Sequence, residues 1–218
     1  MSVVVKICGL STCDTLEAAV AAGADMLGFV FFPASPRHVG LDLARQLGDQ
    51  IGSRAAKVAL TVDASDALIR DVVDALAPDL LQLHGKESPE RIRAIKHTFG
   101  LPVMKAVAVA TADDLAALPA YAAASDRILF DARPPKDALR PGGLGVPFDW
   151  ALLSGLALPV PFMVSGGITP GNVAEALRVT RAGGVDVSSG VETTPGVKDP
   201  ELIRSFIRAA RASEETMA

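Results

Sequence analysis

Short β-branched runs alternate with Ala- and Leu-rich stretches of helical period eight times along this 218-residue chain. That alternation restricts the fold more than any other feature. A strand that returns parallel to its predecessor needs a crossover, and a helix is the usual crossover that buries one face on the sheet. The strands read as residues 3–7, 26–31, 57–62, 80–83, 103–106, 127–130, 162–164 and 185–187. Helices are expected over 12–22, 41–50, 64–76, 89–97, 112–118, 170–179 and 200–212, with a further one starting near Asp149. Gly23 stops the first helix, Ser65 can cap the third, and Pro89 after Ser88 suits a first turn. An open doubly wound sheet is the main rival. Eight units and the lack of a G-x-G-x-x-G after the first strand favour an α/β fold closed as one (β/α)8 TIM barrel over residues 1–218.

Composition narrows the function. Half the residues are apolar but only 5% are aromatic, so the core must be built from Ala, Val, Leu and Ile. A net charge of −4 without a basic stripe argues against nucleic acid as partner. Charge or Gly interrupts each apolar stretch before it could span a bilayer, and MSVVVKICGL lacks the pattern of a secretory signal. A cytoplasmic location without membrane partners is expected, and a monomer, since no apolar stripe stands out. Cys8 and Cys13, spaced C-x4-C, form neither a disulfide framework nor a redox C-x-x-C. His38, His84 and His97 show no metal-ligand spacing. No metal and no cofactor are expected.

Active sites of such barrels lie at the C-terminal ends of the strands. Side chains alternate along a strand, so Lys6 shares a face with Cys8, Thr61 with Asp63, and Gln82 with His84. Lys105 and Asp131 also stand at or just past strand ends. If these faces point inward, the mouth carries a thiol, two carboxylates, a His, a Gln and a Lys. For Asp63 and Lys105, capping or solvation is an equally good reading. A lone Cys is more often a small buried hydrophobe, and Cys13 is expected to be one. SGGIT at 165–169 follows the seventh strand and SSG at 188–190 the eighth. Gly-rich turns let the backbone approach an anion closely, and these two loops commonly hold phosphate in this fold.

With those motifs in hand, the chain resembles the phosphoribosylanthranilate isomerase family over nearly its whole length. The resemblance rests on KICGL (6–10), GFVFFPASPRHV (28–39), LQLHG (81–85), FDARPP (130–135), PGGLGVPFDW (141–150), VSGGITPGNV (164–173) and DVSSGVE (186–192). It implies ring opening of a phosphoribosylamine and an Amadori rearrangement, with Cys8 as general base and Asp131 as general acid. It implies that Arg37 holds the anthranilate carboxylate and that His84 and Asp186 contact substrate. Gly166, Gly167, Ser189 and Gly190 would bind the phosphate. The loop at 142–146 reads Gly-Gly-Leu-Gly-Val where the family often has G-G-[ST]-G-K. A glycine lid is still expected there, but without contacts from polar lid side chains. Trp150 is expected to pack the sixth helix on the barrel.

At pH 7 a free thiol is about 3% thiolate and a free Asp about 0.1% protonated. Both groups therefore start in the wrong form. Either the site shifts one of them, with Lys6 and Arg37 as candidate cations, or it works through a small, correctly protonated fraction. Two other functions fit the phosphate loops: another sugar-phosphate isomerase or epimerase, and a non-catalytic phosphate-binding barrel. Neither needs Cys8 and Asp131 together.

Overall fold

A computed structural model describes residues 2–134, 142, 143, 145 and 147–217. The strands are β1 (Val4–Cys8), β2 (Met26–Phe31), β3 (Ala56–Thr61), β4 (Leu80–Leu83), β5 (Val103–Val109), β6 (Arg127–Ala132), β7 (Phe162–Val164) and β8 (Gly184–Val187). They form a closed parallel barrel in sequence order, sealed by β1 against β8 with Lys6 opposite Asp186. The helices are α1 (Cys13–Ala22), α2 (Leu41–Ile51), α3 (Asp66–Leu76), α4 (Pro89–Phe99), α5 (Leu118–Ala124), α6 (Val173–Thr180) and α7 (Pro200–Met217). A short hairpin, β9 (Glu192–Thr194) and β10 (Val197–Lys198), interrupts the last crossover and has no counterpart in the sequence reading.

Two expected helices differ. Residues 112–118 form one 3-10 turn, Ala112–Leu115, and α5 starts only at Leu118, because Pro119 suits a first turn and not an interior. The helix expected near Asp149 is a single 3-10 turn, Trp150–Leu153, capped by Asp149 accepting from the Ala151 amide. Trp150 packs partly buried against the outer core from that turn. Cys13 is exposed at the start of α1, not buried.

Alternation sorts the side chains into layers. Val58, Leu80, Met104, Ala106, Leu129 and Met163 fill the barrel floor. Above them Cys8, Val30 and Leu60 form a smaller apolar patch that faces the mouth. The opposite faces of the strands join the helices in the large outer core. At the N-terminal end, the same device recurs in three turns. Asp25, Asp79 and Asp126, each just before an even-numbered strand, accept from the Val5, Lys57 and Val103 amides of the preceding strand at 2.7–2.8 Å. Each returns its own amide to the carbonyl of that residue. These carboxylates satisfy edge amides far from the mouth, which marks them as structural. Among the described residues, no helix is long and apolar enough to cross a membrane.

Candidate active site

One cavity opens at the C-terminal ends of the strands, where ligands of this fold bind. Cys8, Arg37, His84, Asp131 and Asp186 line it, with Gly166, Gly167 and Ser189. The eight come from the ends of β1, β4, β6 and β8 and from loops after β2, β7 and β8. Thr61, Asp63 and Lys105 do not join them. The inward positions of β3 are Leu60 and Val62, so Thr61 and Asp63 face away. Asp63 sits in a turn with φ of 47° and accepts from the Lys86 amide. Lys105 is buried outside the barrel against Glu87 at 2.8 Å and the Gly85 carbonyl at 2.6 Å. The inward set is therefore Lys6, Cys8, Gln82, His84 and Asp131.

Cys8 is nearly buried, at the last position of β1. It lies opposite Gly28 of β2. A Cβ on Gly28 would stand 2.9 Å from the Cys8 Sγ and 3.1 Å from the Lys6 Nζ, so the missing side chain is what admits both groups. Lys6 is fully buried and donates to Asp186 at 2.9 Å. Burial alone would lower its pKa; the Asp186 carboxylate and Cys8 outweigh that and hold it above the ordinary value. The thiol is not depressed by its cationic neighbours. Burial dominates and, with Asp186, pushes Cys8 up, against the pull of Lys6 and Lys198. The Lys6 charge is already engaged by Asp186, which explains why it does not win.

Asp131 lies inside β6, which runs two residues beyond the expected end at 130. Its Oδ1 accepts from the Ala132 amide at 2.9 Å, and its Oδ2 lies 3.2 Å from His84 Nε2. The other imidazole nitrogen pairs with the Gln82 amide at 3.1 Å. Two glycines bracket the carboxyl group. A Cβ on Gly142 would approach Oδ2 to 2.5 Å, and one on Gly166 would approach Oδ1 to 3.0 Å. Leu144 and Val146, the altered lid positions, lie outside the described residues.

Gly166 and Gly167 adopt φ of 79° and 66°, a region that favours glycine. Among the described residues, no backbone acceptor is found for the amides of Gly166, Gly167 and Ser189, three residues that line the cavity, and unpaired amides of this kind can receive an anion. Gly190 does not line the cavity. A Cβ there would fall 1.9 Å from the Ile168 carbonyl oxygen, so Gly190 lets the β8 loop pack on the β7 loop. Gly190→Ala should therefore cost about 1–3 kcal/mol of stability through overpacking, read as a lowered Tm. An unchanged Tm would mean the loops move apart freely.

Arg37 reaches the cavity from the loop after β2, almost wholly buried. Two residues behind it escaped the sequence reading. Glu192 takes its Nε and Nη2 at 2.7 Å each, and Lys198 contacts Glu192 at 2.6 Å. Burial would raise the Glu192 carboxyl, but Arg37 and Lys198 together hold it below the ordinary range. Burial drags Lys198 down to about 8 despite Glu192 beside it. Glu192 closes the DVSSGVE motif, which was a signal of sorts. Lys198 carried none, because only the hairpin brings it back to Ser188.

Comparison with known proteins identifies the family. Residues 5–209 match the family model described as N-(5'phosphoribosyl)anthranilate (PRA) isomerase. An N-(5'-phosphoribosyl)anthranilate isomerase of Rhodopseudomonas palustris strain HaA2 is 93% identical over the full length of both chains. One of Bradyrhizobium diazoefficiens is 69% identical, over 99% of this chain and 96% of its own. Among solved structures, the phosphoribosyl anthranilate isomerase of Thermotoga maritima superposes with a TM-score of 0.86 at 35% identity, covering 96% of this chain and 99% of its own. Another phosphoribosyl anthranilate isomerase structure, in complex with reduced 1-(o-carboxyphenylamino)-1-deoxyribulose 5-phosphate, has a TM-score of 0.82 at 34% identity with the same coverage.

Proposed function

The chain belongs to the N-(5'-phosphoribosyl)anthranilate isomerase family, and on that premise we propose how its barrel mouth works in tryptophan biosynthesis. It converts N-(5-phosphoribosyl)anthranilate to 1-(2-carboxyphenylamino)-1-deoxyribulose 5-phosphate by an Amadori rearrangement. The observation that carries this reading is Cys8 and Asp131 on one cavity, with the two glycine loops between them. In barrel order β7 and β8 separate β6 from β1. A phosphate held by Gly166, Gly167 and Ser189 would leave the sugar ring between acid and base. Arg37 then receives the anthranilate carboxylate, its planar fork being suited to such a partner.

Asp131 in its neutral form gives a proton to the furanose oxygen. The anilino nitrogen lone pair breaks the C1–O bond, leaving a protonated Schiff base and a free hydroxyl. The Cys8 thiolate removes the proton from C2, and that electron pair moves to form the enolamine. Its enol then becomes the ketone as the C2 hydroxyl proton leaves and C1 takes one up, with no net change in protons. Substrate and product are isomers, so no redox partner enters. His84, 3.2 Å from Asp131, is the neighbour through which the acid proton is replaced. Lys6 faces the charge that develops on Cys8, while Asp186 keeps that ammonium in place.

The protonation problem has a specific solution. Thiolate plus neutral acid carries the same number of protons as thiol plus carboxylate. The productive pair is then a constant, small fraction of the enzyme across neutral pH. Burial holds the Cys8 thiol above its ordinary value, so ionisation of the thiol does not end this plateau near neutral pH. The test is the decay of substrate fluorescence on mixing with the protein, followed from about pH 6 to 7.5, below the titration of Lys198 at about 8. Fast decay with kcat/KM constant within about twofold is expected. No decay would overturn the proposed reaction. A tenfold rise per pH unit would overturn the pairing of acid and base.

A further inference from the structure

We propose that Glu192, carried on the β9–β10 hairpin, is a positioning residue that aims Arg37 at the substrate carboxylate, and that Lys198 keeps Arg37 electrostatically available for it. The inference rests on the role given to Arg37 above.

Three side-chain hydrogen bonds to two partners hold Arg37. Glu192 Oε1 and Oε2 take its Nε and Nη2, each at 2.7 Å, in a planar two-point pair. The second Nη2 hydrogen goes to the Gly143 carbonyl at 3.1 Å. Among the described residues, the remaining nitrogen, Nη1, has no acceptor, and Arg37 lines the cavity while Glu192 and Lys198 do not. The guanidinium plane is thus fixed by its rear edge. A long side chain loses rotamer freedom on binding, and a group ordered beforehand avoids that loss.

Charge decides whether this arrangement can bind an anion. A buried Arg–Glu pair alone is neutral and has little attraction left for a carboxylate. Lys198 changes the sum. It meets Glu192 Oε1 at 2.6 Å and is locked by the Ser188 carbonyl at 2.9 Å and hydroxyl at 3.1 Å. The three side chains together carry one net positive charge, in a site with 1–4% side-chain exposure where screening is weak. Glu192 can then orient Arg37 without cancelling it.

The hairpin is built to hold this geometry. Glu192 Oε2 also accepts from the Gly196 amide at 3.1 Å, which ties the tip back to the carboxylate. Gly196 adopts φ of 89°, and a Cβ there would approach the Pro36 carbonyl to 2.6 Å. The hairpin tip therefore rests directly on the loop that carries Arg37.

Calorimetric titration with two inert ligands tests this. One is reduced 1-(o-carboxyphenylamino)-1-deoxyribulose 5-phosphate; the other is its anilino counterpart without the carboxylate. The wild-type protein should bind the first at least about tenfold more tightly, as expected for a charge-assisted pair. Glu192→Gln should reduce that preference to about twofold or less, with affinity for the anilino compound unchanged. Lys198→Met, which leaves Arg37 and Glu192 to cancel each other, should do the same and serves if Glu192→Gln does not fold. A variant that keeps the wild-type preference, or loses affinity for both ligands equally, overturns the positioning role. No preference in the wild-type protein would instead overturn the carboxylate role of Arg37 itself.

Discussion

Cys8→Ser should lower kcat by about 10²–10⁴-fold, the range for loss of a general base, while the Tm and the affinity for the reduced product analogue stay near wild type. Serine keeps the shape of the side chain, and its hydroxyl is far less acidic than a thiol, so the proton acceptor is removed with little change in packing. The position is nearly closed to solvent beside Lys6, and water is a poor substitute there. The competing reading of Cys8 is an inert core thiol in the patch with Val30 and Leu60. That reading predicts kcat nearly intact. Stopped-flow fluorescence of the substrate and thermal unfolding on the same sample separate the two.

Asp131→Asn is the second large effect, again about 10²–10⁴-fold in kcat. The amide can still accept from the Ala132 amide and can face His84, so the contacts of the carboxyl survive. What it cannot do is deliver a proton to the ring oxygen. Ring opening then becomes limiting, and the substrate should accumulate bound and fluorescent. A ring-opened Schiff base prepared chemically would bypass the defect in Asp131→Asn but not in Cys8→Ser. Equal rescue of both variants would mean that the two residues do not divide the reaction as acid and base.

Much of the barrel is visible in the alternation of residue types, because each strand and each helix has its own period. Its ends are less so. β6 runs on to Ala132, which puts Asp131 on a rigid strand and not on a loop; nothing in Phe-Asp-Ala-Arg by itself says where pairing stops. The segment at 112–118 looked like one helix because Ala and Leu dominate, although Pro119 was in plain sight as the start of another. The face of β3 was left open by alternation alone. Thr61 and Asp63 do share a face, but the sequence contains no reference for which face points in.

The site divides in the same way. Alternation and strand-end polarity were enough to bring Cys8, His84 and Asp131 together, because strand C-terminal ends must converge in a closed barrel, whereas Arg37 and Asp186 entered only through the family motifs that contain them. Cys8 was thus a candidate base from the residues around it, but its environment was not readable. Whether Lys6 activates the thiol depends on where Asp186 stands, 180 residues away, and β1 meets β8 only on closure. Pairing across that seam engages the ammonium, and burial then pushes the thiol up. Glu192 and Lys198 depend on the same kind of contact. Charge compensation behind Arg37 is a property of three side chains from distant segments, so folding, and not any local pattern, decided it.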